Sequence, residues 1–172
     1  MSQTTSIIYG YGFKIANLDK NLINFNDFKK FLLKNKEYLN SNELDILNCI
    51  NQYNSYDECN NDAGLECAID NIQTKNIEDN SHLETLITNV LCQKYQLPIG
   101  YFEGTECTEN KNGYILYVPD FPWNTTKKER ELDTVEKLEK IMLKMVEELN
   151  LKETLENEDL PLSDYENVEY WG

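Results

Sequence analysis

From Ser6 to Ile15 (SIIYGYGFKI) side-chain character alternates, placing Ile7, Tyr9, Tyr11 and Phe13 on one face and Ile8, Gly10 and Gly12 on the other, a period of two that predicts a β-strand. Glycine weakens a strand unless something lies close against it. Gly10 and Gly12 on one face therefore predict a second backbone or a helix packed there, with a ligand as the alternative. From Asn24 the period becomes helical. Asn24 is a candidate N-cap, Phe25, Phe28, Phe31 and Leu32 fall on one side, and Lys29, Lys30 and Lys34 face solvent. In NSNELDILNCI, Asn40 and Glu43 have capping-box spacing ahead of Leu44, Leu47 and Ile50. The polar run Tyr53 to Asp62 predicts a surface loop.

A third helix is expected from Ala63 to about Thr74, on the stripe Leu65, Ala68, Ile69 and Ile72. A fourth follows the Ser81–Glu84 capping box and runs to about Tyr95 with Leu83, Leu86, Ile87, Val90 and Leu91 on one face. After Pro98, IGYFEG and GYILYV predict an antiparallel hairpin with a long loop, where Asn112-Gly113 supplies residues tolerant of positive φ. Pro119 cannot donate to a ladder and ends the second strand, so Asp120 to Trp123 should turn. Phe121 and Trp123 then either close over the core or present an apolar anchor to a partner. A last helix, capped by Asp133 and Glu136, carries Val135, Leu138, Met142, Met145 and Leu149. The expected fold is α+β and helix-rich: a small antiparallel sheet, made of the N-terminal strand and a hairpin, with about five helices on one face. Residues 1–150 form a single domain in this reading, and 151–172 an acidic C-terminal tail ending in Tyr165, Tyr170 and Trp171.

A length of 172 residues suits one domain with a sizeable core. No stretch approaches the ~18–20 apolar residues of a membrane helix, and Met1 to Ser6 lacks the segments of a signal peptide, so a cytoplasmic protein is expected. Cys49, Cys59, Cys67, Cys92 and Cys107 include no Cys-x-x-Cys pair, and His82 is the only histidine. Reduced, mostly buried thiols are the expectation, with no metal site and no cofactor.

Recognised catalytic patterns are missing. The EF-hand template fails from Asp57, where positions 3, 6 and 12 are Cys59, Asp62 and Ala68, and from Thr108, where position 12 is Pro119. His82, in the first turn of a helix, reads as a surface residue, and no motif pairs it with Cys92 or Cys107. There is no phosphate-binding glycine loop and no Gly-x-Ser-x-Gly elbow.

Charge changes the picture more. The net charge is −15, and residues 41–110 hold 13 acids against Lys75 and Lys94, while residues 1–40 are net positive with six lysines against three acids. Residues 151–172 add seven acids against Lys152. A field of this sign disfavours direct contact with nucleic acid or an anionic membrane and favours a basic partner. Asp62, Glu66 and Asp70 recur every four residues, about 6 Å apart along one helix side. Asp57, Glu58, Glu78 and Asp79 lie nearby in sequence, and the hairpin loop adds Glu103, Glu106 and Glu109. A solvated face that aids solubility would use these acids, and so would a surface that imitates a nucleic-acid backbone and occupies a cationic groove.

Through SIIYGYGF, YFEG and YILYVPDFPW the chain resembles small uncharacterised acidic proteins of low-GC Gram-positive bacteria and their phages and prophages. The resemblance implies an anti-CRISPR or other anti-defence inhibitor. The function expected is a non-enzymatic inhibitor or adaptor that binds a basic host protein which handles nucleic acid. Its contacts would be Asp57, Glu58, Asp62, Glu66, Asp70, Glu78, Asp79, Glu103, Glu106 and Glu109, with Trp123 as anchor. The alternative is a small metal-dependent hydrolase using clustered Asp and Glu.

Overall fold

The computed structural model describes residues 4–18, 20–70, 83–105, 111–119, 125–132 and 134–171. Among them the chain folds as a helix-rich α+β structure with one antiparallel sheet. Strand β1 (Thr4–Asn17) is its hub. It pairs with β2 (Lys20–Asn21) and, along residues 4–12, with β5 (Ser163–Trp171) on one side. On its other side, residues 11–16 pair with β4 (Lys111–Tyr117), which pairs in turn with β3 (Ile99–Thr105).

The register aligns Phe13, Ile115 and Tyr101 across the sheet, and beside them Tyr11, Tyr117 and Ile99. These side chains face a core completed by the helices. On the opposite face a Cβ at Gly12 would stand 1.9 Å from the Ile115 carbonyl oxygen, and one at Gly10 would stand 2.8 Å from Leu116 Cβ. The close neighbour expected from the two glycines is thus strand β4, by its backbone at Gly12 and chiefly by the Leu116 side chain at Gly10.

Helix α1 (Phe25–Lys34) begins at Asn24, whose side chain accepts from the Asn26 amide, and buries Phe25, Phe28, Phe31 and Leu32. A single 3-10 turn, Lys36–Tyr38, leads to α2 (Ser41–Ile50), which opens with the Asn40–Glu43 capping box. The expected loop at 53–62 contains helix α3 (Tyr56–Asn60) instead. Ser55 caps it, Cys59 is buried, and the Tyr56 ring packs edge-on to Phe25 at 4.9 Å and beside Phe28 at 5.6 Å. One aromatic anchor outweighs the polar composition there.

Helix α4 (Ala63–Asp70) follows directly. Helix α5 (Glu84–Tyr95) starts after Leu83 without a side-chain cap, and Ser81, expected to cap it, lies outside the described residues. Asn112 and Gly113 do not form the hairpin turn. They lie within β4, where Tyr101 Oη would be 2.8 Å from a Cβ at Gly113 and the Asn112 side chain accepts from the Leu18 amide at 3.2 Å.

Helix α6 (Lys127–Glu131) was not expected, although Thr126 and Glu129 form a capping box. For α7 (Val135–Glu148) the cap is Thr134, not Asp133, which lies outside the described residues. Met142, Met145 and Leu149 are buried, but Val135, at the exposed start of the stripe, is 65% accessible.

The segment expected to fade into a tail carries helix α8 (Lys152–Asn157) and strand β5. Two Schellman motifs turn the chain there. Leu151 N–H donates to Val146 O and Asn150 N–H to Glu147 O, with Asn150 at φ 56°. Leu160 N–H donates to Leu155 O and Asp159 N–H to Glu156 O, with Asp159 at φ 52°. Asn and Asp tolerate the left-handed conformation better than most residues, which lets both reversals form without glycine.

Candidate interaction surface

Two short helices in mutual contact, α3 and α4, carry Asp57, Glu58, Glu66 and Asp70 of the acidic segment, with Asp62 between them. Asp57, Glu58 and Glu66 are exposed. No described lysine or arginine comes within ion-pair distance of any of the three. Glu58 is partly committed, since its Oε2 accepts from the Asn54 amide at 2.7 Å.

Asp62 has a different role. Its Oδ1 accepts from the Gly64 and Leu65 amides at 2.8 and 2.9 Å, and its Oδ2 accepts a short hydrogen bond from the Tyr53 hydroxyl. Asp62 is therefore the N-cap of α4. The Tyr53 bond first, and then the amides, hold its carboxyl below the usual carboxylate range, and the same bond pushes the Tyr53 phenol up to about 12. Glu103 is half-buried and accepts from the Tyr101 hydroxyl at 3.2 Å. Asp70 closes α4. Glu78, Asp79, Glu106, Glu109 and Trp123 lie outside the described residues, as do His82 and Cys107.

The structure thus places Asp57 and Glu58 on α3 and Glu66 on α4, two helices in contact, and gives Asp62 between them to the fold. Two neighbours were not found from sequence. Tyr53, nine residues before Asp62, has no periodic signal. Lys29 approaches from α1, yet its Nζ donates to the Tyr53 carbonyl oxygen at 2.8 Å and lies 4.9 Å from the Phe25 ring centre. Lys29 is therefore spent on α1 and the Tyr53 backbone.

Of the described cysteines, Cys59 is buried, Cys92 half-buried, and Cys49 and Cys67 exposed, so burial is less general than expected. Burial pushes the Cys59 thiol up to about 11. Among the described residues no group of three or more His, Cys, Asp or Glu side chains is placed to hold a metal ion. No helix among them is long and apolar enough to cross a membrane. No family model matches the chain, and neither curated proteins nor solved structures return a match to it.

Proposed function

We propose that the protein is a non-enzymatic binding protein whose α3 and α4 carboxylates dock on the basic surface of a protein that handles nucleic acid. The observation that carries this reading is the exposure of Asp57, Glu58 and Glu66 without a cationic partner among the described residues. Carboxylates held close together without counter-charges keep a condensed layer of cations. A lysine- or arginine-rich surface displaces that layer, and the field steers the two surfaces together over roughly 10 Å at 0.1 M salt.

Carboxylates spaced along helices imitate the phosphates such a surface normally meets, so the partner would be blocked from nucleic acid. The resemblance to phage and prophage proteins supports an inhibitor of a host defence protein. The same field opposes direct binding to nucleic acid or to an anionic membrane.

Salt-graded capture from host lysate tests this reading, comparing the wild type with the triple variant Asp57→Asn, Glu58→Gln, Glu66→Gln. The expected result is a basic nucleic-acid-binding protein retained by the wild type at low salt, released at high salt and not retained by the variant. Equal retention by both proteins, or capture of no basic partner at low salt, would overturn it.

A further inference from the structure

A second surface points to a ligand of a different shape. Helices α7 and α8, with the turn after α8, enclose a largely apolar groove of about 340 Å³, whose wall includes Leu143, Val146, Leu155 and Leu160. Leu143 is 40% accessible, and the Schellman turn at Asp159 brings Leu160 back against α8. Three charged residues also line the groove: Lys152, Glu156 and Asp159. Lys152 is already matched by Glu147 at 3.8 Å, whereas Glu156 and Asp159 have no described cationic partner. The site therefore combines an apolar floor with two uncompensated carboxylates.

We propose that this groove docks a short cationic amphipathic segment of another protein, with one or two large apolar side chains seated between Leu143 and Leu160 and lysines or arginines over Glu156 and Asp159. An apolar anchor in a preformed groove with charged flanks is how amphipathic helices are commonly recognised. Charge selects the occupant. A second copy of this chain brings another net −15 and the same acidic groove edge, so self-association would set like charges against each other. The inference does not rest on the α3 and α4 reading, which involves none of these residues.

The test uses the full chain and a fluorescent synthetic helical peptide of lysine and leucine, with leucines repeating at helical spacing. A lysine–alanine peptide of equal charge and a glutamate–leucine peptide serve as controls. Anisotropy should show binding of the lysine–leucine peptide alone, and amide shifts in NMR spectra should map to α7 and α8. Leu143→Arg, at an exposed position that folding tolerates, should weaken binding about tenfold by blocking burial of one apolar side chain. Glu156→Gln with Asp159→Asn should flatten the salt dependence. The triple variant at positions 57, 58 and 66 should keep its affinity within about twofold, since long-range steering is its only influence on this site.

Equal binding of the lysine–alanine peptide, an unchanged Kd in Leu143→Arg, or shifts centred on α3 and α4 would each overturn the proposal. So would a dimer in sedimentation equilibrium that Leu143→Arg dissolves, because that result assigns the groove to a second copy.

Discussion

Replacing Gly12 with alanine tests the least familiar feature of the sheet, the approach of the β4 backbone to the glycine face of β1. The new Cβ would sit 1.9 Å from the Ile115 carbonyl oxygen, 2.9 Å from its carbonyl carbon and 3.0 Å from Leu116 Cα. All three are backbone atoms, so no rotamer change relieves the overlap and the strands must separate by roughly 1 Å. Overpacking of this kind costs about 1–3 kcal/mol. Disturbing about two ladder hydrogen bonds adds roughly 1 kcal/mol each. The alanine returns about 0.5–1 kcal/mol by restricting the unfolded chain. The net loss is about 2–4 kcal/mol, and at roughly 2–4 °C per kcal/mol for a chain of this size Tm should fall by about 5–15 °C. Guanidinium titration followed by far-ultraviolet circular dichroism measures the difference. Gly64→Ala is the milder comparison: its nearest atom is Asp62 Oδ1 at 3.1 Å, which caps α4 and must yield only a few tenths of an ångström, and helix propensity returns about 0.8–1 kcal/mol, so it should unfold within about 1 kcal/mol of wild type. If Gly12→Ala unfolds within about 0.5 kcal/mol of wild type, the β4 backbone does not lie on that face.

Three further outcomes follow from single sites. Lys94 Nζ donates to Glu148 Oε2 at 2.7 Å and to Asn35 Oδ1 at 2.8 Å, and Tyr95 donates to Glu148 Oε1 at 2.8 Å. Glu148→Ala strands the Tyr95 hydroxyl and removes the counter-charge of half-buried Lys94, which keeps Asn35, and should cost about 1–3 kcal/mol in the same titration, whereas Glu147→Ala, which breaks the exposed pair with Lys152, should cost under about 0.5 kcal/mol. The folded state raises the Tyr53 phenol from 10.0 to about 12 and the Cys59 thiol from 9.0 to about 11. Both groups bind their protons more tightly when folded, so their contribution is complete below the ordinary values and is lost as pH rises through the raised ones. Tm should therefore decline between about pH 9 and 12, and Tyr53→Phe should shrink the upper part of that decline; an unchanged profile in Tyr53→Phe would count against the Asp62 bond. Gln96 ends α5 at φ 56°, a conformation that costs a non-glycine residue about 1 kcal/mol, so Gln96→Gly should gain about 0.5 kcal/mol after its extra unfolded-state entropy is counted. A lower Tm in that variant would refute the assignment.

The long periodic elements were legible because one physical rule decided each of them. The phenylalanine stripe of α1, the capping box of α2, the apolar face of α5 and the alternation of β1 each had no competing signal. The short helices were not legible, since a five-residue helix has no period to detect and depends on tertiary contacts. Tyr56 secures α3 by packing on α1, a contact between residues 31 positions apart that no local window contains. Helix α6 had the readable Thr126–Glu129 box but no apolar run after it. Strand β5 mixes acids with aromatics and is recruited by the long edge of β1, so its partner rather than its own pattern determines it. In the acidic segment the sequence showed where charge is dense but not which carboxylates the backbone uses.

That distinction decides which substitutions are informative about binding. Glu43 is buried and accepts from the Asn40 amide at 2.8 Å and from Asn89 Nδ2 at 2.6 Å, Asp62 caps α4, and Glu158 accepts from Lys20 at 3.1 Å. Removing Glu43 or Asp62 disturbs the fold, so a lost interaction there would say nothing about a docking surface, and Glu158 is committed to an exposed pair with Lys20. Glu66 is the discriminating residue. In the first turn of α4 its charge gains about 0.3–1 kcal/mol from the helix dipole. It loses about 0.2–0.5 kcal/mol against the like charge of Asp62 at four-residue spacing. The two effects nearly cancel, so Glu66→Gln should leave stability within about 0.5 kcal/mol of wild type while weakening capture of the basic partner. A clear loss of stability would make Glu66 a structural residue like Asp62 and remove it from the surface. Unchanged stability together with unchanged capture would mean that the exposed charge of α4 only keeps the chain in solution.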